Sequence, residues 1–188
     1  MGCDISALFD RLFPLWGVCD FPPQEALLRR GQATERAVQV AVAAFPYLLP
    51  EAQYAGRNIA RYAVVRDYHT VCGARLAEAC RTLGEQYPGA SFAWYCDNSP
   101  LPEVALAEEA GLGRRGLHNL LITEEFGSWI FLGELTATIT LPRNAHQTCV
   151  GAAVGCMECR RCIEACPTGA LGAGEFDRKR CLSFLSQK

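Results

Sequence analysis

The sequence predicts an α/β domain followed by a small cysteine-rich segment at the C-terminus. Half of the 188 residues are hydrophobic and the net charge is only −2, so the chain can build a sizeable core and is not a strongly basic nucleic-acid binder. Short β-rich stretches alternate with stretches of helical periodicity over residues 1–142. Four of the eleven cysteines then fall between Cys156 and Cys166.

The helices and strands of residues 1–142 are predicted from periodicity and end signals. Helices are predicted where apolar residues recur at helical spacing and Pro or Gly marks an end. They cover residues 4–16, Gln24–Arg30, Tyr68–Tyr87 and Pro102–Ala110. Strands are predicted where a short stretch is apolar and rich in β-branched or aromatic residues. They cover Ala37–Ala44, Ser91–Cys96, Leu120–Thr123 and Trp129–Leu141.

The cysteine-rich segment reads C-x2-C-x2-C-x3-C-P from Cys156 to Pro167, which is the ligand pattern of bacterial iron–sulfur proteins. Zinc is the alternative metal, but structural zinc sites usually pair two separated C-x2-C motifs or include histidine. The pattern therefore predicts a 4Fe–4S site. We expect the metal ligands to be Cys156, Cys159, Cys162, Cys166 and Cys181.

The cysteine spacing and the N-terminus together indicate a cytoplasmic protein. The chain begins without the basic and apolar regions of a signal peptide, and it has no apolar run of 18 residues, so no membrane partner is expected. Clustered cysteines in a reducing compartment are metal ligands or catalysts rather than disulfides. The scattered cysteines before residue 100 are predicted to be buried thiols.

Asp97 stands at the end of the predicted strand Ser91–Cys96, before Asn98, Ser99 and Pro100. Loops beyond the carboxyl ends of strands in open α/β sheets commonly form the ligand crevice. A lone aspartate there more often caps a turn, so the position alone leaves both roles open. The G-x-G-x-x-G match from Gly111 to Gly116 follows a helix instead of a strand, which is the wrong context for a dinucleotide site.

Several further motifs occur in a fixed order along the chain: R-Y-A-x-x-R-D-Y-H (61–69), D-x-S-P (97–100), L-A-E-x-A-G-L-G-x-x-G (106–116), G-S-x-x-F-L-G-E-L (127–135), the cysteine run, and D-x-x-R-C-x-S-x-L (177–185). This order resembles that of the epoxyqueuosine reductases, cobalamin- and iron–sulfur-dependent enzymes of tRNA queuosine modification. The resemblance covers roughly residues 35–188.

This resemblance implies a cobalamin-binding-like domain over residues 1–142 and an incomplete ferredoxin-like segment over 143–188. It assigns the proton donor to Asp97, which would then need a pKa raised by burial to hold a proton at neutral pH. Electrons would pass from cluster to cobalt and then to the substrate. The implied cofactor-binding residues are Arg66, Tyr68, His69, Asn98, Ser99, Gly113 and His118.

The sequence also departs from the family. Val65 replaces the usual glycine, and Arg114 and Leu117 replace an aromatic residue and a lysine. The second cysteine group and the tRNA-holding repeat domain of the family are absent, so we expect either a fragment or one cluster completed by Cys149, Cys166 or Cys181. The expected partners are a small-molecule or modified-nucleoside substrate and an electron-donor protein. Residues 143–188 carry a net charge of +3, but tRNA binding by this chain alone is expected to be weak.

Two other interpretations remain open. In the first, the chain is a non-catalytic iron–sulfur protein that transfers electrons or senses redox state. In the second, it is a corrinoid-handling module that serves a partner. The intact 66–69 segment and Asp97 favour an oxidoreductase or a corrinoid module over the pure electron carrier.

Overall fold

The computed structural model describes residues 4–23, 26–28, 36–143, 155–172 and 176–186. The helices are α1 (Ile5–Leu12), α2 (Tyr68–Gln86), α3 (Glu103–Glu109), α4 (Arg161–Glu164) and α5 (Leu182–Ser186). The strands are β1 (Leu15–Asp20), β2 (Gln39–Pro46), β3 (Phe92–Tyr95), β4 (Arg114–Arg115), β5 (Leu121–Ile122) and β6 (Ile130–Ala137). None of the described helices is long and apolar enough to cross a membrane.

The centre of the fold is a four-stranded sheet in the order β1-β2-β6-β3, and every neighbouring pair is antiparallel. A second, two-stranded sheet joins β4 and β5. We expected a ligand crevice at Asp97 because loops after the carboxyl ends of parallel strands commonly form one. This sheet is antiparallel, so that argument does not apply to it. The position of Asp97 follows instead from the short length of β3.

Helices cover both faces of the sheet. On one face α1 and α2 bury Phe9, Leu76 and Leu83 against β2 and β6. On the other face α3 buries Leu106 and Ala107 against Val40 and Val42 of β2. The strand β2 is buried over seven of its eight residues because it lies between these two layers. The fold is therefore a mixed α/β domain with one core on each side of the sheet.

Most of the predicted elements are present within a few residues of their predicted ends. The short strand β4 was not predicted, and β6 ends at Ala137 instead of Leu141. The largest difference is in the N-terminal region, where the helix expected over residues 4–16 ends at Leu12 and the edge strand β1 was not predicted. Pro14 ends the helical pattern, and the following six residues are stabilised as a strand by pairing with β2 rather than by local propensity. The helix predicted over Gln24–Arg30 lies mostly outside the described residues.

The strand β3 is half as long as β6, and this difference opens a cleft. Residues Phe92–Tyr95 pair with Glu134–Ala137, whereas β2 pairs with the whole of β6. On the β3 side, no described strand pairs with Ile130–Gly133. The chain leaves the sheet at Tyr95 and turns at Asp97, so this aspartate lies beside the uncovered half of β6.

Gly113 fixes the turn between α3 and the small sheet. A Cβ atom at this position would overlap the carbonyl oxygen of Ile122, so only glycine allows the two backbones to approach so closely. Gly113 had been expected beside a corrin ring because of the family resemblance. In the structure it is buried against β5, which gives it a packing role.

We expect Gly113→Ala to destabilise the fold by about 1–3 kcal/mol, because the backbone of β5 must shift to admit the methyl group. Gly84→Ala is the matched control, since Gly84 lies in α2 with no atom within 4 Å of the added Cβ. That change should stabilise the helix by up to about 1 kcal/mol. Urea unfolding of both variants measures the difference, and equal stabilities would contradict the packing role.

Candidate functional site

The cleft beside β6 is a cavity of about 360 Å³ with an aromatic wall. Tyr68 of α2 stacks on Phe131 of β6 with ring centroids 4.2 Å apart and planes 10° from parallel. Tyr47 packs against the same phenylalanine at 4.6 Å, and Tyr62 meets it edge-on at 6.4 Å. Asp97 and Glu103 supply acidic groups to the lining. The site thus joins a flat apolar surface to carboxyl groups.

Asp97 is held in an unusual backbone conformation. Its φ is 61° and that of Asn98 is 50°, so two consecutive residues other than glycine are left-handed. Such residues cost of order 1–3 kcal/mol each and occur most often at functional sites. The Asn98 N–H donates to Asp97 Oδ1 at 2.8 Å, and this bond partly offsets the strain. The turn leaves the carboxylate of Asp97 61% exposed.

The first turn of α2 supplies the groups that face Asp97. The Tyr68 hydroxyl donates to Asp97 Oδ2 at 3.1 Å, and His69 Nε2 lies 3.4 Å from the same oxygen. Asp67 caps the helix by accepting the His69 N–H at 3.0 Å. Its Oδ1 also lies 2.9 Å from His69 Nδ1. The imidazole is therefore held between two carboxylates.

The electrostatics of this group differ from the sequence-based expectation. The Asn98 N–H, followed by hydrogen bonds from Tyr68 and His69, lowers the pKa of Asp97 below its ordinary value. The raised pKa that Asp97 would need to hold a proton at neutral pH is therefore not present, because the side chain is exposed and accepts hydrogen bonds in its ionised form. The pKa of His69 is raised, mainly by its hydrogen bond to Asp67.

Two carboxyl groups that the sequence analysis missed lie near Asp97. Glu134 of β6 is fully buried, and neither carboxyl oxygen has a hydrogen-bond partner among the described residues. Burial, followed by the charge of Glu103, raises its pKa well above the ordinary value. Burial also raises the pKa of Glu103 to about 7, with a further contribution from Asp97. A glutamate within the apolar strand Ile130–Ala137 was the sequence signal that could have found Glu134.

The raised pKa values make the stability of the fold depend on pH. A carboxyl whose folded-state pKa lies above its unfolded value stabilises the fold fully below the unfolded pKa. That contribution is lost as the pH rises through the folded-state pKa. For Glu103 the window runs from 4.5 to about 7. The same direction holds for Glu134, because burial raises its pKa well above the ordinary value.

The other predicted cofactor residues are spread over three places. Asn98 directly follows Asp97 and is exposed, and Arg66 is exposed just before the first turn of α2. Ser99, in contrast, is buried and accepts the Leu101 N–H at 3.1 Å. His118 instead lines a separate cavity of about 300 Å³ with Cys166 and Cys181. Burial lowers the pKa of His118, so it is neutral at physiological pH.

The predicted metal ligands are not gathered at one point. Cys156 lines a cavity of about 690 Å³ with Arg115 and Gly116, while Cys166 and Cys181 share the cavity beside His118. Within the described parts of the chain, no three Cys, His, Asp or Glu side chains are placed to hold a metal ion. The assignment of Cys156, Cys159, Cys162, Cys166 and Cys181 as ligands therefore stays a prediction.

The chemistry of these residues nevertheless suits the two cofactors. Backbone N–H groups, first that of Leu171, lower the pKa of the Cys166 thiol to about 7, and this favours the thiolate that iron–sulfur clusters require. The aromatic wall of the cleft offers a flat apolar surface to the face of a large ring. At about 360 Å³ the cleft would enclose part of a corrin and leave the rest of it open to solvent.

The fold defines the class of protein. A solved structure of epoxyqueuosine reductase from Streptococcus thermophilus matches 98% of this chain and 57% of that chain, with a TM-score of 0.76 and 25% sequence identity. A reductive dehalogenase described as B12-dependent shares the fold over 75% of this chain and 20% of that chain, with a TM-score of 0.54 and 22% identity. The mixed α/β domain is thus one that reductases of both kinds contain.

Sequence comparison identifies the family within that class. The family model of epoxyqueuosine reductase QueG, DUF1730, matches residues 29–98. The epoxyqueuosine reductase of Gloeobacter violaceus is 43% identical over 129 residues, which are 68% of this chain and 39% of that protein. The chain belongs to the epoxyqueuosine reductase QueG family and spans about two fifths of the length of the curated relatives that it matches. Another matching structure, of an epoxyqueuosine reductase, contains an epoxyqueuosine-modified tRNA-Tyr stem loop. The match covers 97% of this chain and 57% of that chain, with 21% sequence identity and a TM-score of 0.71.

The contacts of His69 predict an order of effects on its titration. We expect the pKa of His69 to lie above 6.5, to fall most in Asp67→Asn and to fall less in Asp97→Asn, because Asp67 makes the stronger hydrogen bond. Asparagine still caps a helix, so Asp67→Asn should leave α2 intact. NMR titration of the ring, assigned with His69→Gln, measures the values. The reverse order would show that Asp97 dominates.

Proposed function

We propose that this chain forms the corrinoid-facing half of an oxidoreductase that reduces an epoxide on a modified nucleoside, with Asp97 as the proton-transferring group. One observation carries the proposal. A strained left-handed turn presents an exposed Asp97 carboxylate to the mouth of an aromatic cleft, where Tyr68 and His69 contact it. Membership of the epoxyqueuosine reductase family supports the reaction type.

The cleft residues would hold and orient the cofactor and the substrate. Tyr47, Tyr62, Tyr68 and Phe131 would pack against the apolar face of a corrin and exclude water from it. Bound cobalamin would supply the reducing electrons at the epoxide carbon, and iron–sulfur clusters on the cysteine segment would supply electrons one at a time. The protein's own contribution is to place the epoxide oxygen within reach of Asp97.

The proton chemistry follows from the groups around Asp97. The carboxylate of Asp97 is ionised at rest, because the hydrogen bonds of Asn98, Tyr68 and His69 stabilise its charge. Asp97 therefore has to receive a proton before it can protonate the oxygen that leaves the substrate. A protonated His69 would hold Asp97 in place through the shared Oδ2 contact. Positioned acid catalysis of this kind contributes roughly a hundredfold to ten-thousandfold in rate.

The substrate class rests on the family and on one related structure. A matching epoxyqueuosine reductase holds an epoxyqueuosine-modified tRNA stem loop. We propose a modified nucleoside carried on tRNA as the substrate, and an electron-donor protein as the second partner. Phosphate contacts from the basic residues of 143–188 would make any tRNA affinity fall steeply with salt.

Asp97→Asn tests the role of the aspartate. The change preserves size and hydrogen-bonding shape and removes the transferable proton, so turnover should fall by about a hundredfold or more while corrinoid affinity stays unchanged. Asp4→Asn is the matched control, because Asp4 caps α1 by accepting the Ser6 N–H at 3.0 Å and does not line the cleft. If Asp97→Asn loses stability but turns over normally, Asp97 only caps its turn.

Serine substitutions test the cysteine segment. Cys156→Ser, Cys159→Ser or Cys162→Ser should each remove most of the bound iron after anaerobic purification, because each change deletes one thiolate ligand of the same proposed cluster. Cys80→Ser is the control, since burial raises the pKa of the Cys80 thiol to about 12 and disfavours the thiolate. Iron and sulfide analysis measures the outcome, and equal iron loss in Cys80→Ser would overturn the ligand assignment.

A further inference from the structure

Glu134 is a buried carboxyl group that the proposed reaction has not used. Its side chain lies on the α3 face of the sheet, with Val42 of β2 and Tyr95 of β3 as its neighbours across the two strand pairs. It is fully buried, and neither of its oxygens has a hydrogen-bond partner among the described residues. A buried polar group without partners costs free energy, so its presence calls for an explanation.

Glu103 lies between this buried group and the cleft. It is the first residue of α3, and its charge acts on Glu134. Glu103 also lines the aromatic cleft together with Asp97. A second cavity, of about 440 Å³, is bordered by the same two acidic residues and by Asn98 and Ser99. The three carboxyl groups therefore form a series from the core to the mouth of the cleft.

The surroundings separate the pKa values of these groups. That of Glu134 is raised well above the ordinary value, that of Glu103 is raised to about 7, and that of Asp97 is lowered. Carboxyl groups whose surroundings separate their pKa values in this way commonly divide the roles of acid and base. Because Glu103 and Glu134 interact, their protons leave in steps that belong to the pair.

The surroundings of the series are mostly acidic or neutral. The Ser99 hydroxyl lies near enough to the Glu134 carboxyl to lower its pKa without forming a hydrogen bond to either oxygen, and the Cys96 thiol acts on Glu134 in the same direction as Glu103. Arg115 borders the second cavity, where its guanidinium lies 3.7 Å from Glu108. Near Asp97 the titratable neighbours are Tyr68 and His69. A nearby cation would lower the pKa values of the two glutamates by stabilising their ionised forms. In the contacts described above, Arg115 is paired with Glu108, and His69 lies between Asp67 and Asp97.

We propose that Glu103 and Glu134 form a two-carboxyl proton reservoir that reprotonates Asp97 during the reductive step. The inference rests on the proposed function of Asp97. Protonated Glu103 gives its proton to the Asp97 carboxylate, which leaves Glu103 ionised and Asp97 neutral. Glu134 then gives its proton to Glu103, and solvent at the cleft restores the pair after turnover.

The stoichiometry of the proposed reaction calls for such a reservoir. Removing an epoxide oxygen as water breaks two C–O bonds and consumes two electrons and two protons. The electrons come from the reductant of the proposed function. Asp97 carries at most one proton, and it is ionised at rest. The two glutamates can hold both of the protons that one turnover consumes.

The first test needs neither cofactor nor substrate. In protein labelled with ¹³C at the glutamate carboxyl carbon, NMR should show one carboxyl titrating near pH 7 and a second titrating well above the ordinary glutamate value. Glu103→Gln should remove the first signal and Glu134→Gln the second. Glu109→Gln is the control, because this exposed glutamate lies on the same helix. If both glutamates titrate near 4.5 in the unaltered protein, the reservoir does not exist.

The second test uses the cofactor-loaded enzyme over a range of pH. Glu103→Gln should lower turnover at pH 7.5 by about tenfold or more and regain activity as the pH falls, because solvent then protonates Asp97 directly. Glu103→Asp restores the carboxyl and should restore the pH profile. Corrinoid affinity and melting temperature should stay close to those of the unaltered enzyme, which excludes a folding defect.

The two tests separate failure of the reservoir from failure of the proposed function. If Asp97→Asn is slow at every pH but Glu103→Gln keeps the unaltered pH profile, the reservoir is overturned and the role of Asp97 stands. If Asp97→Asn turns over normally, both ideas fail, whatever the carboxyl titration shows. Slow Asp97→Asn together with a pH-dependent defect in Glu103→Gln supports the proposal.

Discussion

The pairing of β6 is the constraint on which the rest of the structure depends. This strand pairs with β2 over its whole length and with β3 over only half of it. The paired half fixes the two cores, and the uncovered half, Ile130–Gly133, borders the cleft. Gly133 lets α2 pack closely on the strand, because a Cβ atom there would overlap Leu76. The helix is thereby positioned so that Tyr68 and His69 reach Asp97 from its first turn.

Strain and charge meet in the turn after β3. Two left-handed residues raise the energy of the turn, and the hydrogen bonds to the Asp97 carboxylate offset part of it. The same hydrogen bonds keep Asp97 ionised. An exposed, ionised aspartate cannot by itself supply protons near neutral pH, so proton supply falls to groups with higher pKa values. Glu103 and Glu134 are such groups, and both lie on the α3 side of the sheet.

The cysteine segment stands apart from this arrangement. Cys166 and Cys181 share a cavity with His118, whereas Cys156 lies with the Arg115–Gly116 turn. Leu120 borders both the cleft and the Cys166 cavity, so the two cavities are adjacent. His118, expected near the corrin, instead lies beside the Cys166 and Cys181 thiols.

The sequence by itself determined the family, the cysteine run and most of the helices and strands, because spacing and order are properties of the chain. Through the family motifs it named Asp97 as proton donor and, separately, Tyr68 and His69 among the cofactor-binding residues, and the structure brings these three side chains together. The edge strand β1 was decided by tertiary structure, since only pairing with β2 makes that segment extended. The protonation of the acidic groups was also decided there. Burial and hydrogen bonding set each pKa, and neither can be read from a residue's neighbours along the chain.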